Sequence, residues 1–162
     1  MRRAAMSIAL AVVLAATMGA AWGCGGSDGG ATTGASQADF VAQANAICRS
    51  ANEEFVALGD MQQFDDLADF RDRFPKAIAI AREQYADISR LTPPDDISVD
   101  LAAYLQQGDL SVALSDDLYD QVMAGKDLPE AEGATIGSDK GQEIIAERRR
   151  AATAAGLEDC AS

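Results

Sequence analysis

Three cysteines and a surplus of carboxylates are the only side chains in this sequence reactive or numerous enough to suggest chemistry. There is no histidine. That removes Ser-His and Cys-His nucleophilic pairs, imidazole-based zinc sites and the usual general base near neutral pH. No phosphate-cradling glycine loop or dinucleotide fingerprint occurs. The carboxylates gather in three groups. Asp65, Asp66, Asp69 and Asp72 share one stretch, Asp95, Asp96 and Asp100 surround a Pro-Pro turn, and Asp116, Asp117 and Asp120 form the third. Each group could hold calcium weakly, because hard cations want several oxygens. None has the spacing of an EF-hand loop, and a solvated helix face or a helix cap accounts for each. A carboxylate pair could run acid–base hydrolysis only inside a formed cleft. Beyond residue 23 the methionines are Met61 and Met123, too few for a Met-rich copper carrier, and no tryptophan is left to stack on a sugar. The expectation is no catalytic residue, no metal and no cofactor.

The cysteines point to an address. Arg2 and Arg3 precede an uncharged run from Ala4 to Trp22 that ends in small residues, as an export signal does. Cys24 follows Ala21-Trp22-Gly23 directly, which resembles the lipobox of bacterial lipoproteins, where the cysteine sulfur takes a diacylglycerol. Gly23 and Cys24 fit that pattern, Ala21 stands where leucine is usual, and Trp22 departs from it. Ordinary signal cleavage after Gly23 is the alternative, because Ala21 and Gly23 also satisfy a small-x-small rule. Residues 25–36 form a Gly/Ser/Thr-rich linker without an apolar anchor, which is what a tether needs. An odd cysteine is a liability in an oxidising compartment. Lipidation of Cys24 leaves Cys48 and Cys160 to pair, closing nearly the whole folded domain. The segmentation is therefore 1–23 signal peptide, 24–36 lipidated cysteine and linker, and 37–162 folded domain.

Two of the 13 basic residues lie in the signal and none of the 26 acidic ones do. The remainder carries 26 acidic against 11 basic residues, a net charge of −15. That argues against nucleic acid and against anionic lipid surfaces as partners.

The folded domain reads as helical throughout. Residues 37–58 carry apolar side chains at 40, 44, 47, 48, 51, 55 and 58, with Ser36 as N-cap and Gly59 as stop. A second stretch, 64–91, keeps its stripe through Phe70, Phe74, Ile78, Tyr85 and Ile88 across Pro75, where a kink or two abutting helices are expected. Thr92-Pro93-Pro94 ends it. The third, 97–124, has Leu101, Tyr104, Leu118 and Val122 on its apolar face, a possible interruption at Gly108-Asp109, and Gly125 as its end. Residues 126–141, with Gly133, Gly137 and Gly141 four apart, are expected to be loop or frayed helix, since each glycine costs about 0.8–1 kcal/mol of helicity. From Gln142 the chain is helical again, with Arg148, Arg149 and Arg150 in later turns that suit the helix dipole. Gly156 is the C-cap, after which Leu157 can dock before Cys160. No segment alternates with period two. The fold class is all-α, an antiparallel four-helix bundle closed by one disulfide. A pocket between helices lined by Phe40, Phe70 or Tyr104 would suit a small ligand.

Three segments punctuate this domain: residues 39–48 from Asp39 to Cys48, the central Leu91-Thr92-Pro93-Pro94, and the terminal Gly156-Leu157-Glu158-Asp159-Cys160. In this order, behind a lipobox, they resemble the small helical disulfide-containing lipoproteins of unknown function numerous in high-GC Gram-positive bacteria. The resemblance implies the bundle and the bridge, and carries no activity and no catalytic residue. The expected role is a non-enzymatic binding module, held to the outer face of the cytoplasmic membrane through Cys24. Its partner would be an envelope protein or a small ligand. A carboxylate-dependent envelope hydrolase and a structural spacer are the alternatives.

Overall fold

A computed structural model describes residues 36–161, Gln62 excepted. The signal-like run, Cys24 and the linker lie outside the described residues. Helix α1 spans Gln37–Ala57. Ser36 starts it, its hydroxyl oxygen accepting from the Asp39 amide at 3.2 Å and so satisfying one of the orphan donors of the first turn. Gly59, at φ 88°, turns the chain away after Leu58; that left-handed conformation is one that glycine adopts without a Cβ penalty. Helix α2 spans Leu67–Ser89, capped by the Asp66 carboxylate at the amides of Ala68 and Asp69, 2.8 and 2.9 Å. It runs through Pro75 as one helix, so the two-helix alternative does not hold. The bond that Pro75 cannot donate belongs to the carbonyl of exposed Arg71, where water can serve instead. Phe70 and Phe74 stack before the proline, and buried Ala77 and Ile78 follow it.

Helix α3, Ser98–Met123, is unbroken at Gly108. A Cβ there would lie 2.6 Å from the Tyr85 ring, so the glycine is where α2 approaches closely and not an interruption. Residues expected to be loop instead hold a short helix α4, Leu128–Ala134, with Pro129 in its first turn. Helix α5, Asp139–Ala154, starts three residues before Gln142, capped by the Ser138 hydroxyl, which accepts from the Gly141 amide at 3.1 Å. A terminal 3-10 turn, Glu158–Cys160, ends the chain. Among the described residues the structure is thus all-helical, with a fifth, short helix added to the four expected long ones and no strand. No described helix is long and apolar enough to cross a membrane.

The glycines four apart do three different jobs. Beside Gly133 a Cβ would meet open space, at Gly137 it would press on the Glu132 carbonyl at 3.0 Å, and at Gly141 it would strike the Thr135 carbonyl at 2.4 Å. Gly133→Ala is expected to stabilise the domain by about 0.5–1 kcal/mol through helix propensity. Gly141→Ala and Gly108→Ala are expected to destabilise it by about 1–3 kcal/mol through overpacking, despite the same propensity gain. Urea unfolding of the three variants checks the opposite signs.

Helix α1 lies against α2 and the terminal turn, α3 lies against α2, α4 and α5, and no Cα of α1 comes within 8 Å of α5. The main core joins Phe40, Ala44 and Cys48 of α1 to Tyr85, Ile88, Leu101 and Tyr104, and to Ala152, Ala155, Leu157 and Cys160 at the C-terminal end. A second core gathers Phe70, Leu118, Val122 and Ala131 at the far end.

The C-terminal turn is a latch across the seam between α1 and α5. After Ala155, Gly156 at φ 75° lets the Leu157 amide reach back to the Ala152 carbonyl at 2.8 Å, a Schellman closure. It sends Leu157, fully buried, into the main core. Asn45 on α1 donates to the Gly156 carbonyl at 3.2 Å and accepts from the Asp159 amide at 3.0 Å. Asn52 donates to the Asp159 carbonyl at 2.9 Å. The Cys48–Cys160 disulfide completes the latch, with Cα atoms 5.2 Å apart across 112 residues of sequence.

Candidate functional site

Four carboxylates from two of the three acidic groups of the sequence have a structural occupation. Asp66 caps α2, while Asp69 pairs with Arg73, Asp72 with Lys76 and Asp116 with Arg82. Among the described residues no three His, Cys, Asp or Glu side chains are grouped to hold a metal ion. Arg73 was not singled out in the sequence, yet it organises the α1–α2 connection. It donates to the carbonyls of Leu58, Asp60 and Gln63 at 3.2, 3.0 and 2.6 Å, and its guanidinium lies 4.7 Å from the Phe64 ring centroid. Its hydrogen bond holds the Asp69 carboxyl below the usual carboxylate range. The only local sequence signal for this pair is the i,i+4 spacing of Asp69 and Arg73.

Of Phe40, Phe70 and Tyr104, the alternative linings expected for an interhelical pocket, Phe70 borders a cleft and the three do not share one core. Phe40 and Tyr104 fill the main core at 1% and 0% exposure, and Phe70, also 1% exposed, belongs to the second. Tyr104 sits in a small polar enclave inside the first. The Gln84 amide donates to its Oη and to Cys48 Sγ, both at 3.1 Å, and the Tyr85 ring meets it edge-on at 5.6 Å. Burial, followed by the neighbouring Tyr85, pushes the Tyr104 phenol well above its ordinary value. An acid whose folded pKa is raised contributes stability that is complete below its unfolded pKa, about 10 for tyrosine, and is lost as pH rises beyond it. Wild-type protein should therefore lose stability between pH 9 and 11 by up to about 1.4 kcal/mol per pH unit more steeply than Tyr104→Phe. Urea midpoints of the two proteins across that range check this difference.

Several clefts indent the surface of the described residues, and three of them have apolar floors. The first, about 380 Å³, runs between α1 and α2 over Ile47, Ala51 and Ile80 and is bordered by Glu54, Glu83 and Asp87. The second, about 350 Å³, opens beside Phe64, Phe70 and Leu128 and has Asp66, Asp127 and Lys126 at its edge. The third, about 240 Å³, enters between the end of α1, the middle of α2 and α3, and α5. Phe55, Met61, Phe74, Ile78 and Val112 wall it, with Tyr85, Ser111, Ser115 and Arg148 as its polar groups. Arg148 does not serve a helix end as its sequence position suggests; its Nη1 donates to Tyr85 Oη at 3.0 Å.

No family's sequence pattern matches this chain, and no characterised protein or solved structure matches it either.

Proposed function

We propose that this chain is a lipid-anchored module of the bacterial cell envelope that binds a partner or small ligand without catalysing a reaction. It would be one of the small helical lipoproteins its punctuation resembles. The observation that carries this reading is the use of cysteines. Cys48 and Cys160 are bonded to each other, so the third, Cys24, is the one left over, immediately behind a signal-like run and ahead of a Gly-rich tether. A disulfide belongs to an oxidising compartment, and a lone exported cysteine needs something to occupy it. The four long helices suit an antiparallel bundle in which α1, α2, α3 and α5 are neighbours in turn and the C-terminal latch closes the ring. Asp66, Asp69, Asp72 and Asp116 are engaged as a cap and in ion pairs, whereas the clefts offer apolar floors with a few polar groups, the usual form of a binding site.

Replacing Cys24 by serine in the producing cell tests the anchor. The wild-type protein should pellet with salt-washed membranes and the Cys24→Ser variant should not. A variant that still pellets would show that the Ala4–Trp22 run, and not a lipid, holds the protein.

A further inference from the structure

The two sulfurs of the Cys48–Cys160 bridge have unlike surroundings. Cys48 Sγ accepts from the Gln84 amide at 3.1 Å and has Tyr104 Oη 4.0 Å away. The same Gln84 nitrogen donates to Tyr104 Oη at 3.1 Å, so the phenol keeps its own hydrogen for the sulfur. Among the described residues the polar atom facing Cys160 Sγ is the Ala44 carbonyl oxygen, also at 4.0 Å, a dipole end that repels negative charge. From this asymmetry we infer that the bridge is a thiol-exchange site of fixed polarity, at which an incoming thiolate attacks Cys160 and Cys48 leaves. The inference goes beyond the binding-module reading and does not rest on it.

In such an exchange the departing sulfur carries the charge, and it departs faster the better that charge is held. Bonds to an ionised acceptor are about twice as strong as neutral ones, so Gln84 and Tyr104 gain most when Cys48 becomes a thiolate. Burial holds the Tyr104 phenol protonated in the range where thiolates react. Access points the same way. Cys48 is fully enclosed in the middle of α1, whereas Cys160 lies in the short terminal turn beside exposed Glu158 and half-buried Asp159 and Ala161. Lifting that turn uncovers Cys160 first. Deeper burial alone would disfavour a Cys48 thiolate, so the order places control with the two donors. With a dithiol as reductant the step balances. Its first sulfur bonds to Cys160 Sγ as the bridge breaks, and the bridge's electron pair goes to Cys48. Its second sulfur then displaces Cys160 from the mixed disulfide. The dithiol is oxidised to its own disulfide, and its two protons end on Cys48 and Cys160. Bridge formation retraces this path, with Cys48 as the attacking thiolate.

The Cys24→Ser protein, whose only cysteines are the bridged pair, tests the assignment. It is treated with 2-mercaptoethanol in native buffer, quenched with acid at early times and labelled with N-ethylmaleimide for peptide mass mapping. Mercaptoethanol should sit on Cys160 and maleimide on Cys48, in excess over the reverse by on the order of tenfold. Gln84→Leu, shown to be folded by its thermal melt, should bring that ratio toward one and cleave about tenfold more slowly. A merely structural role for Gln84 predicts the opposite rate change, because destabilisation opens the turn and speeds cleavage. Equal adducts on the two cysteines, adducts chiefly on Cys48, or an unchanged ratio in folded Gln84→Leu would each overturn the site. So would cleavage whose urea dependence equals the full unfolding slope, which would show that the bridge opens only in the unfolded chain. None of these results bears on the anchor, which is read separately from membrane association.

Discussion

Replacing both half-cystines, Cys48→Ala with Cys160→Ala, is expected to lower unfolding stability by about 4–5 kcal/mol. The bridge spans 112 residues, and chain-entropy estimates assign about 4.7 kcal/mol to a loop of ~100. Domains of this size have only about 5–15 kcal/mol in all, so the double variant should be partly unfolded near 37 °C. The effect should be concentrated in α1, because the backbone of that helix comes close only to α2 and the terminal turn. Native-state hydrogen exchange should show α1 and the latch opening well before α2, α3 and α5. Urea unfolding measures the total, and the slope should rise as the unlinked denatured chain exposes more surface. A loss below about 1 kcal/mol would mean that Asn45, Asn52 and Leu157 hold the latch without the covalent bond.

Phe40→Ala should be the most damaging single substitution, at about 3–5 kcal/mol. Phe40 is 1% exposed and sits where α1, the end of α5 and the latch meet, among Ala152, Ala155 and Leu157. Because α1 and α5 have no close backbone approach, the cavity left by the ring cannot shrink cheaply by sliding the two helices together. Phe40→Leu, which keeps most of the volume, should lose much less. Fraying of the first turn is the competing outcome. The Ser36 cap opposes it, so a measured loss near 1 kcal/mol would show that the turn up to Phe40 melts instead of enclosing a void.

What could be read from the sequence was local, and what could not depended on partners far along the chain. The α1 stripe, its Ser36 cap and its Gly59 stop are neighbours within one segment, and they stand where expected. So does the Gly156-Leu157 closure, whose hydrogen bonds all fall within six residues. The disulfide followed from counting cysteines, which needs no geometry. Gly108 was misread as a possible interruption because its reason is the Tyr85 ring, 23 positions earlier and on another helix. Gly141 was discounted for helicity because propensity alone does not reveal a backbone carbonyl 2.4 Å from the missing Cβ. Two start signals in residues 126–141 were legible and passed over, Asp127 with Pro129 and Ser138, because the glycine count outweighed them. Phe40, Phe70 and Tyr104, the alternative linings of a pocket, are divided between two cores for a geometric reason. Phe70 lies in the second turn of α2, near Phe64 and Tyr119, while Tyr104 faces the opposite end of the bundle. Apolar periodicity assigns a face to each residue but not a height along the bundle axis. Arg148 looked like a dipole-matching surface charge for the same reason.

The central claim, a domain stapled by its own disulfide and held to the membrane by Cys24, is tested most directly by one mass. Intact protein extracted from membranes should weigh residues 24–162 plus acyl chains, less the two hydrogens of the Cys48–Cys160 bridge, and alkylation should add nothing until the sample is reduced. An unacylated mass, or alkylation without reduction, would contradict the anchor in the first case and the staple in the second.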